Sequence, residues 1–172
     1  SLRNRGVPTL GLYGACSTMA ESLLLAAMSV SGGFARTALA MTSSHFASSE
    51  RQYRFPLGYG GQRTPTSQWT VTGAGAVLLG SGERGIRITA ATIGSIVDRV
   101  ICDANNMGAA MAPAAFATLR AHFDDLHCTP EDYDVIITGD LGRLGSEILH
   151  GLLEKDGIHA DVQDCGVMIF DA

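Results

Sequence analysis

Cys16, Ser17 and Thr18 stand together between a glycine-punctuated apolar run, Leu10-Gly11-Leu12-Tyr13-Gly14-Ala15, and a long stretch rich in Ala, Leu and Met. The pattern puts a thiol where a strand turns into a helix. There it faces the first free backbone N–H groups and the positive end of the helix dipole, and both favour a thiolate. Two chemistries fit. One is a nucleophilic cysteine, which requires an activating base and donors for a developing oxyanion. The other is an anion-binding helix end, with Ser17 and Thr18 donating to a carboxylate. The plainer readings are N-capping by the same hydroxyls and a small packed residue at position 16.

A second concentration of chemistry lies in Ser43 to Gln68. It holds His45, Glu50, Arg51, Tyr53, Arg54, Phe55, Tyr59 and Arg63. Arginine grips carboxylates through paired hydrogen bonds, and an aromatic ring gives a flat ligand a surface to stack on. Arg51, Tyr53, Arg54 and Tyr59 therefore stand in a segment that suits ligand binding and a subunit interface equally well. His45 follows an apolar strand and two serines, where a hydrogen-bonded core imidazole and a direct ligand contact both fit. No second His stands at metal-ligand spacing, so no zinc site is expected, and Asp98 and Asp103 alone are too few oxygen ligands for calcium. No glycine pattern forms a phosphate-binding fingerprint, and no cofactor is expected.

The elements that would hold these residues read as follows. Val7 to Tyr13 is expected as a buried strand, Ser17 to Val30 as a helix apolar nearly all round, and Thr37 to Thr42 as the next strand, together a parallel βαβ unit. Trp69 to Gly80 reads as a strand packed closely by its neighbours, with Gly85 to Thr92 as its antiparallel partner. Pro113 to Leu126 has helical spacing, with Pro113 in the first turn. Asp134 to Thr138 reads as a short buried strand. Gly139-Asp140-Leu141-Gly142 is then a tight turn, and Ser146 caps a helix through Glu154 that Gly157 ends. Val162 to Phe170 reads as a strand region broken at Asp164-Cys165-Gly166, a turn or a piece of pocket wall. Strands alternate with helices in both halves, so the class is α/β with mixed sheets.

Composition limits the partners. The chain has 172 residues, 46% of them apolar and 17% charged, with 21 glycines, which fits a packed core rather than a disordered segment. Net charge is −5 with no basic block, which argues against nucleic acid. No apolar run is long enough to span a membrane. The four cysteines show no CxxC pairing, which points to reduced thiols in an intracellular protein. The absence of an initiator Met and an ending just after an apolar run point to a fragment.

The runs GACSTMAES, ALAMTSSH, ERQYRFP, YGGQ, TVTGAGAVLL, MGAAMAPAA, DYDVIITGDLG, GSEIL and DCGVMIF together resemble the stage V sporulation protein AD family across nearly the whole chain. That resemblance implies a thiolase-like α/β fold related to the ketoacyl-ACP synthase III group. It implies a middle fragment, incomplete at both ends, with residues 1–98 in the N-terminal half and 99–172 in the C-terminal half. Cys16 aligns with the nucleophile of the thiolase-like enzymes. The loop that carries their catalytic His reads Gly139-Asp140-Leu141-Gly142 here, and His150 and His159 lie too far along to replace it. An Asp near the thiol would raise its pKa. The family is therefore expected to bind rather than catalyse. Its ligand is dipicolinic acid, alone or as the calcium complex, and it supports uptake into the developing spore. The expected ligand-binding residues are Cys16, Ser17, Thr18, His45, Arg51, Tyr53, Arg54, Tyr59 and Asp140. The resemblance also implies a homodimer that works with other proteins of its operon and sits peripherally at the spore inner membrane. The alternatives are a thioester-using acyltransferase with Cys16 as nucleophile, and a structural scaffold for a channel complex.

Overall fold

The computed structural model describes residues 2–44, 64–68, 73–82 and 85–170. The chain divides into two compact units, Ser1–Ser43 with Ala74–Ile86, and Ser44–Gly73 with Arg87–Ala172. Together they make a mixed α/β chain.

The first unit is one helix on a two-stranded sheet. Helix α1, Thr18–Ser31, is built from strong helix formers and follows a single 3-10 turn, Ala15–Ser17. Its buried residues, Ser22 and Ala26, stand four apart on one face and are small, so the helix lies close to the sheet. The helix stops at Gly32, and Gly33 takes φ +75°, a backbone state that glycine enters without a side-chain clash. Strand β1, Thr37–Ser43, then pairs antiparallel with β2, Ala74–Gly80, from Thr37 opposite Gly80 to Ser43 opposite Ala74. Alternation turns Ala38, Ala40 and Thr42 inward, and Ala40 is 1% exposed. The opposite face carries Leu39, Met41 and Leu78, all exposed.

Two expectations fail here. Val7 to Tyr13 is not a strand, and Gly85 to Thr92 is not the partner of Ala74–Gly80. A strand exists only through its ladder, and among the described residues β1 and β2 pair with each other. Gly85 to Thr92 alternates at Ile86 and Ile88 and Val7 to Tyr13 is apolar, but neither run has a described edge to bond. The predicted parallel βαβ unit of this half is therefore an antiparallel pair packed on α1.

The second unit contains α2, Met107–Leu126, β3, Ile136–Thr138, α3, Gly142–Lys155, β4, Val162–Asp164, and α4, Cys165–Phe170. Here β3 and β4 pair in parallel, Ile136 opposite Val162 and Thr138 opposite Asp164, with α3 as the crossover. The core is Ala112, Leu141, Leu149, Leu153 and Val162, with Phe116, Leu119 and Ile136 packed against it. Helices α2 and α3 touch through glycines. A Cβ on Gly108 would lie 2.5 Å from the Leu141 carbonyl oxygen and 2.9 Å from the Gly145 Cα.

Helix α2 begins well before Pro113, because the Asn106 side chain caps it by accepting from the Ala109 N–H at 3.2 Å. Pro113 thus lies inside the helix, not in its first turn. Helix α3 begins at Gly142, so Ser146 is interior and caps nothing. Gly142 has φ +70° and its missing Cβ would lie 2.7 Å from the Ser67 carbonyl oxygen, so it turns the chain straight from strand into helix. Past Asp164 the chain winds into α4 rather than continuing as a strand, because the Asp164 carboxylate caps the new turn.

Candidate functional site

The start of α1 folds on itself. Ala15 has φ +50°, which turns the chain into the 3-10 turn. The Ser17 hydroxyl donates to the Gly14 carbonyl at 2.8 Å and lies 3.3 Å from Glu21 Oε1. The Thr18 hydroxyl donates to the Ala15 carbonyl at 2.8 Å and accepts from the Gly14 N–H at 3.1 Å. Ser17 therefore makes no ordinary capping bond to the helix. Cys16 is exposed at this turn. Glu21 is the residue that sequence reasoning overlooked: its carboxyl carbon would lie 2.5 Å from a Cβ on Gly14, so the side chain reaches back over the glycine. The signal was present, since Ser17 and Glu21 are four apart and share a helix face. The result is an exposed thiol at a helix start whose first turn already holds a carboxylate.

The turn after β3 is a second, separate constellation. Asp140 is 8% exposed and Asp164 is 3% exposed. The Asp164 carboxylate accepts from the Leu141 N–H at 2.6 Å and from the Val167 N–H at 3.0 Å, which fixes the turn and the start of α4 together. Both carboxyl groups converge on Gly166: a Cβ there would lie 2.7 Å from Asp140 Cγ and 3.2 Å from Asp164 Oδ1. The sequence reading weighed Asp164 as turn or pocket wall. It is a buried carboxylate that tethers backbone. The nearest helix histidine, His150, donates from Nε2 to the Val162 carbonyl at 3.0 Å, so that nitrogen serves the strand.

Of the residues expected to bind ligand, Cys16, Ser17 and Thr18 share the α1 turn, and Asp140 belongs to the other unit. His45, Arg51, Tyr53, Arg54 and Tyr59 lie outside the described residues, as do Glu50 and Arg63. Among the described residues, no three His, Cys, Asp or Glu side chains form a group that could hold a metal ion. No described helix is long and apolar enough to cross a membrane.

A helix-start cysteine on an α/β frame and a buried acidic turn carry the same runs that suggested a sporulation family. A family model described as stage V sporulation protein AD matches residues 1–172. The chain is also 48% identical over 170 residues to stage V sporulation protein AD of Bacillus subtilis (strain 168), an overlap covering 98% of this chain and 50% of that protein. The chain belongs to the stage V sporulation protein AD family. It spans about half the length of the curated relative it matches.

Proposed function

We propose that this chain is part of a thiolase-like protein that binds dipicolinic acid, pyridine-2,6-dicarboxylate, without catalysing acyl transfer, and that supports uptake of the acid into the developing spore. The reading is supported by the exposed thiol at the start of α1, together with the sequence Gly139-Asp140-Leu141-Gly142, which has no His where the resemblance implies the catalytic one. Nucleophilic cysteines depend on a base that takes their proton. A carboxylate is a poor base for a thiol, whereas the positive dipole end of α1 suits a carboxylate ligand. Family membership supports a role in sporulation. A homodimer, partners from the same operon and a peripheral position at the spore inner membrane complete the proposal.

The test is calorimetric titration of the full-length polypeptide with dipicolinate, with and without calcium. Saturable heat is expected, and a flat trace at millimolar ligand sinks the reading. The exposure of Cys16 favours one rival, a thioester-using acyltransferase. Incubation with acyl-CoA followed by mass spectrometry decides between them: an acyl adduct on Cys16 that turns over supports the enzyme.

A further inference from the structure

Four side chains of the second unit form a continuous hydrogen-bonded chain away from both constellations above. Helix α2 ends at His127 in the left-handed conformation, φ 52°, and the Cys128 N–H returns to the Phe123 carbonyl at 3.1 Å. The 3-10 turn Pro130–Asp132, braced by the Thr129 N–H donating to Asp132 Oδ2 at 2.8 Å, then carries Tyr133 back over the end of α2. There Tyr133 lies beside His122 and Phe123, with ring centroids 5.8 and 6.3 Å away. Its hydroxyl is 3.2 Å from Cys128 Sγ and 2.8 Å from His122 Nε2, and His122 Nδ1 is 2.8 Å from Thr92 Oγ1.

We propose that Cys128 is a reactive thiol whose proton passes through the Tyr133 hydroxyl to His122, so that it exchanges with small external disulfides. At rest the thiol donates to the phenol oxygen, the phenol donates to Nε2, and Nδ1–H donates to Thr92. On transfer the thiol proton moves to the phenol oxygen as the phenol proton moves to Nε2. The thiolate then accepts from the phenol, the phenol accepts from the imidazolium, and the Thr92 bond is unchanged. No donor or acceptor is stranded in either state. In the arrangement where Thr92 Oγ1 accepts from Nδ1–H, Nε2 is the nitrogen that receives the proton. The thiolate attacks one sulfur of the disulfide, the S–S bond breaks, a mixed disulfide forms on Cys128, and the departing thiolate takes the proton from His122 through Tyr133. The Tyr133 phenol is held above its usual pKa, chiefly by its hydrogen bond with Cys128, then by desolvation and the charges of Cys128 and Asp132. It therefore keeps its proton over the range in which thiols titrate and serves as a relay. Asp132 is the charged neighbour that faces it. Cys128 itself is half-buried, open to a small reagent.

The test uses Ellman's reagent on the full-length protein at limiting amounts, with the labelled cysteines mapped by peptide mass spectrometry. An ordinary thiol is only a few per cent thiolate at neutral pH, which leaves room for an acceleration of about tenfold. At pH 7, Cys128 is expected to react about tenfold faster than Cys102, which is exposed and whose thiol donates to the Val100 carbonyl at 3.6 Å. Tyr133→Phe and His122→Gln should each remove most of that advantage. At pH 9.5, where solvent base deprotonates thiols directly, both variants should match the wild-type rate. Cys128 reacting no faster than Cys102 overturns the proposal. So do variants that keep the wild-type rate at pH 7, and a deficit that persists unchanged at pH 9.5, which marks a purely structural effect.

Discussion

Gly166 and Glu21 show how single positions shape the two constellations. A methyl group at Gly166 would meet the Asp140 carboxyl at 2.7 Å, so Gly166→Ala forces two buried acidic side chains apart. Overpacking of this kind costs about 1–3 kcal/mol, and thermal melting should show the loss. Glu21 lies at a helix end where its carboxylate complements the dipole, so Glu21→Gln should lower helix stability by about 0.3–1 kcal/mol. The same change removes a negative charge beside Ser17, and a dicarboxylate bound at this turn should bind severalfold more tightly in calorimetry. An unchanged affinity would place the dicarboxylate elsewhere. Glu131 gives a pH prediction. Its carboxyl is held below its ordinary range, first by its own backbone N–H, then by the Thr129 side chain. The folded pKa lies below the unfolded one. Its contribution to stability is therefore present above the unfolded value and fades as pH falls through the folded value. An NMR titration of the Glu131 side-chain carbonyl should report a midpoint below that of an unfolded peptide.

At the scale of elements, the crossing of α2 and α3 separates two effects of glycine. Gly108 and Gly145 let the helix backbones touch, and a Cβ on Gly145 would lie 2.9 Å from Gly108 Cα. Gly151 is in the same helix as Gly145, but a Cβ there meets nothing within 4 Å. Gly151→Ala should raise stability by about 0.5–1 kcal/mol through reduced backbone freedom alone. Gly145→Ala gains the same entropy yet must push the helices apart, and a net loss of about 1–3 kcal/mol is expected. Denaturant melts of the two variants should move in opposite directions. The helices were legible in the sequence because their pattern is local. Ala, Leu and Met from Thr18 to Ser31 need no distant partner to declare a helix. The start of α2 was misread because Pro113 is a stronger signal than an Asn cap, although Asn106 does the capping.

At the scale of the molecule, strands were the less legible part, for a reason of the same kind. The short buried strand expected over Asp134 to Thr138 is present only as Ile136–Thr138, paired with Val162–Asp164 within one βαβ unit, and it is not buried, since Ile137 is 53% exposed. Val7 to Tyr13 is apolar and Gly85 to Thr92 alternates, yet among the described residues neither makes a ladder, and their large side chains stay outside: Leu10 is 80% exposed and Ile86 fully so. Periodicity reports which face a strand would bury and is silent about which edge it would join. The candidate site was legible as a constellation of types at Cys16, Ser17 and Thr18. It was not legible as a network, because the use of both hydroxyls inside the turn depends on the φ of Ala15 and the reach of Glu21. Leu39, Met41 and Leu78 leave one apolar face of the β1–β2 sheet exposed among the described residues. The chain expressed by itself should therefore bind a hydrophobic dye strongly and sediment above its monomer mass of 18.0 kDa. A sharp monomer boundary with no dye signal would contradict that expectation.

The Asp164 carboxylate has a consequence in time as well as in space. The amides of Leu141 and Val167, far apart in sequence, are both shielded from solvent by the oxygens of this one side chain. The Leu141 N–H also donates to the Gly139 carbonyl at 2.8 Å, so a swing of the carboxylate releases the Val167 amide and leaves the Leu141 amide with one acceptor. In heavy water the Val167 amide should lose its proton first and the Leu141 amide later, two clocks that report the fraying of α4 and then the opening of the β3–α3 turn.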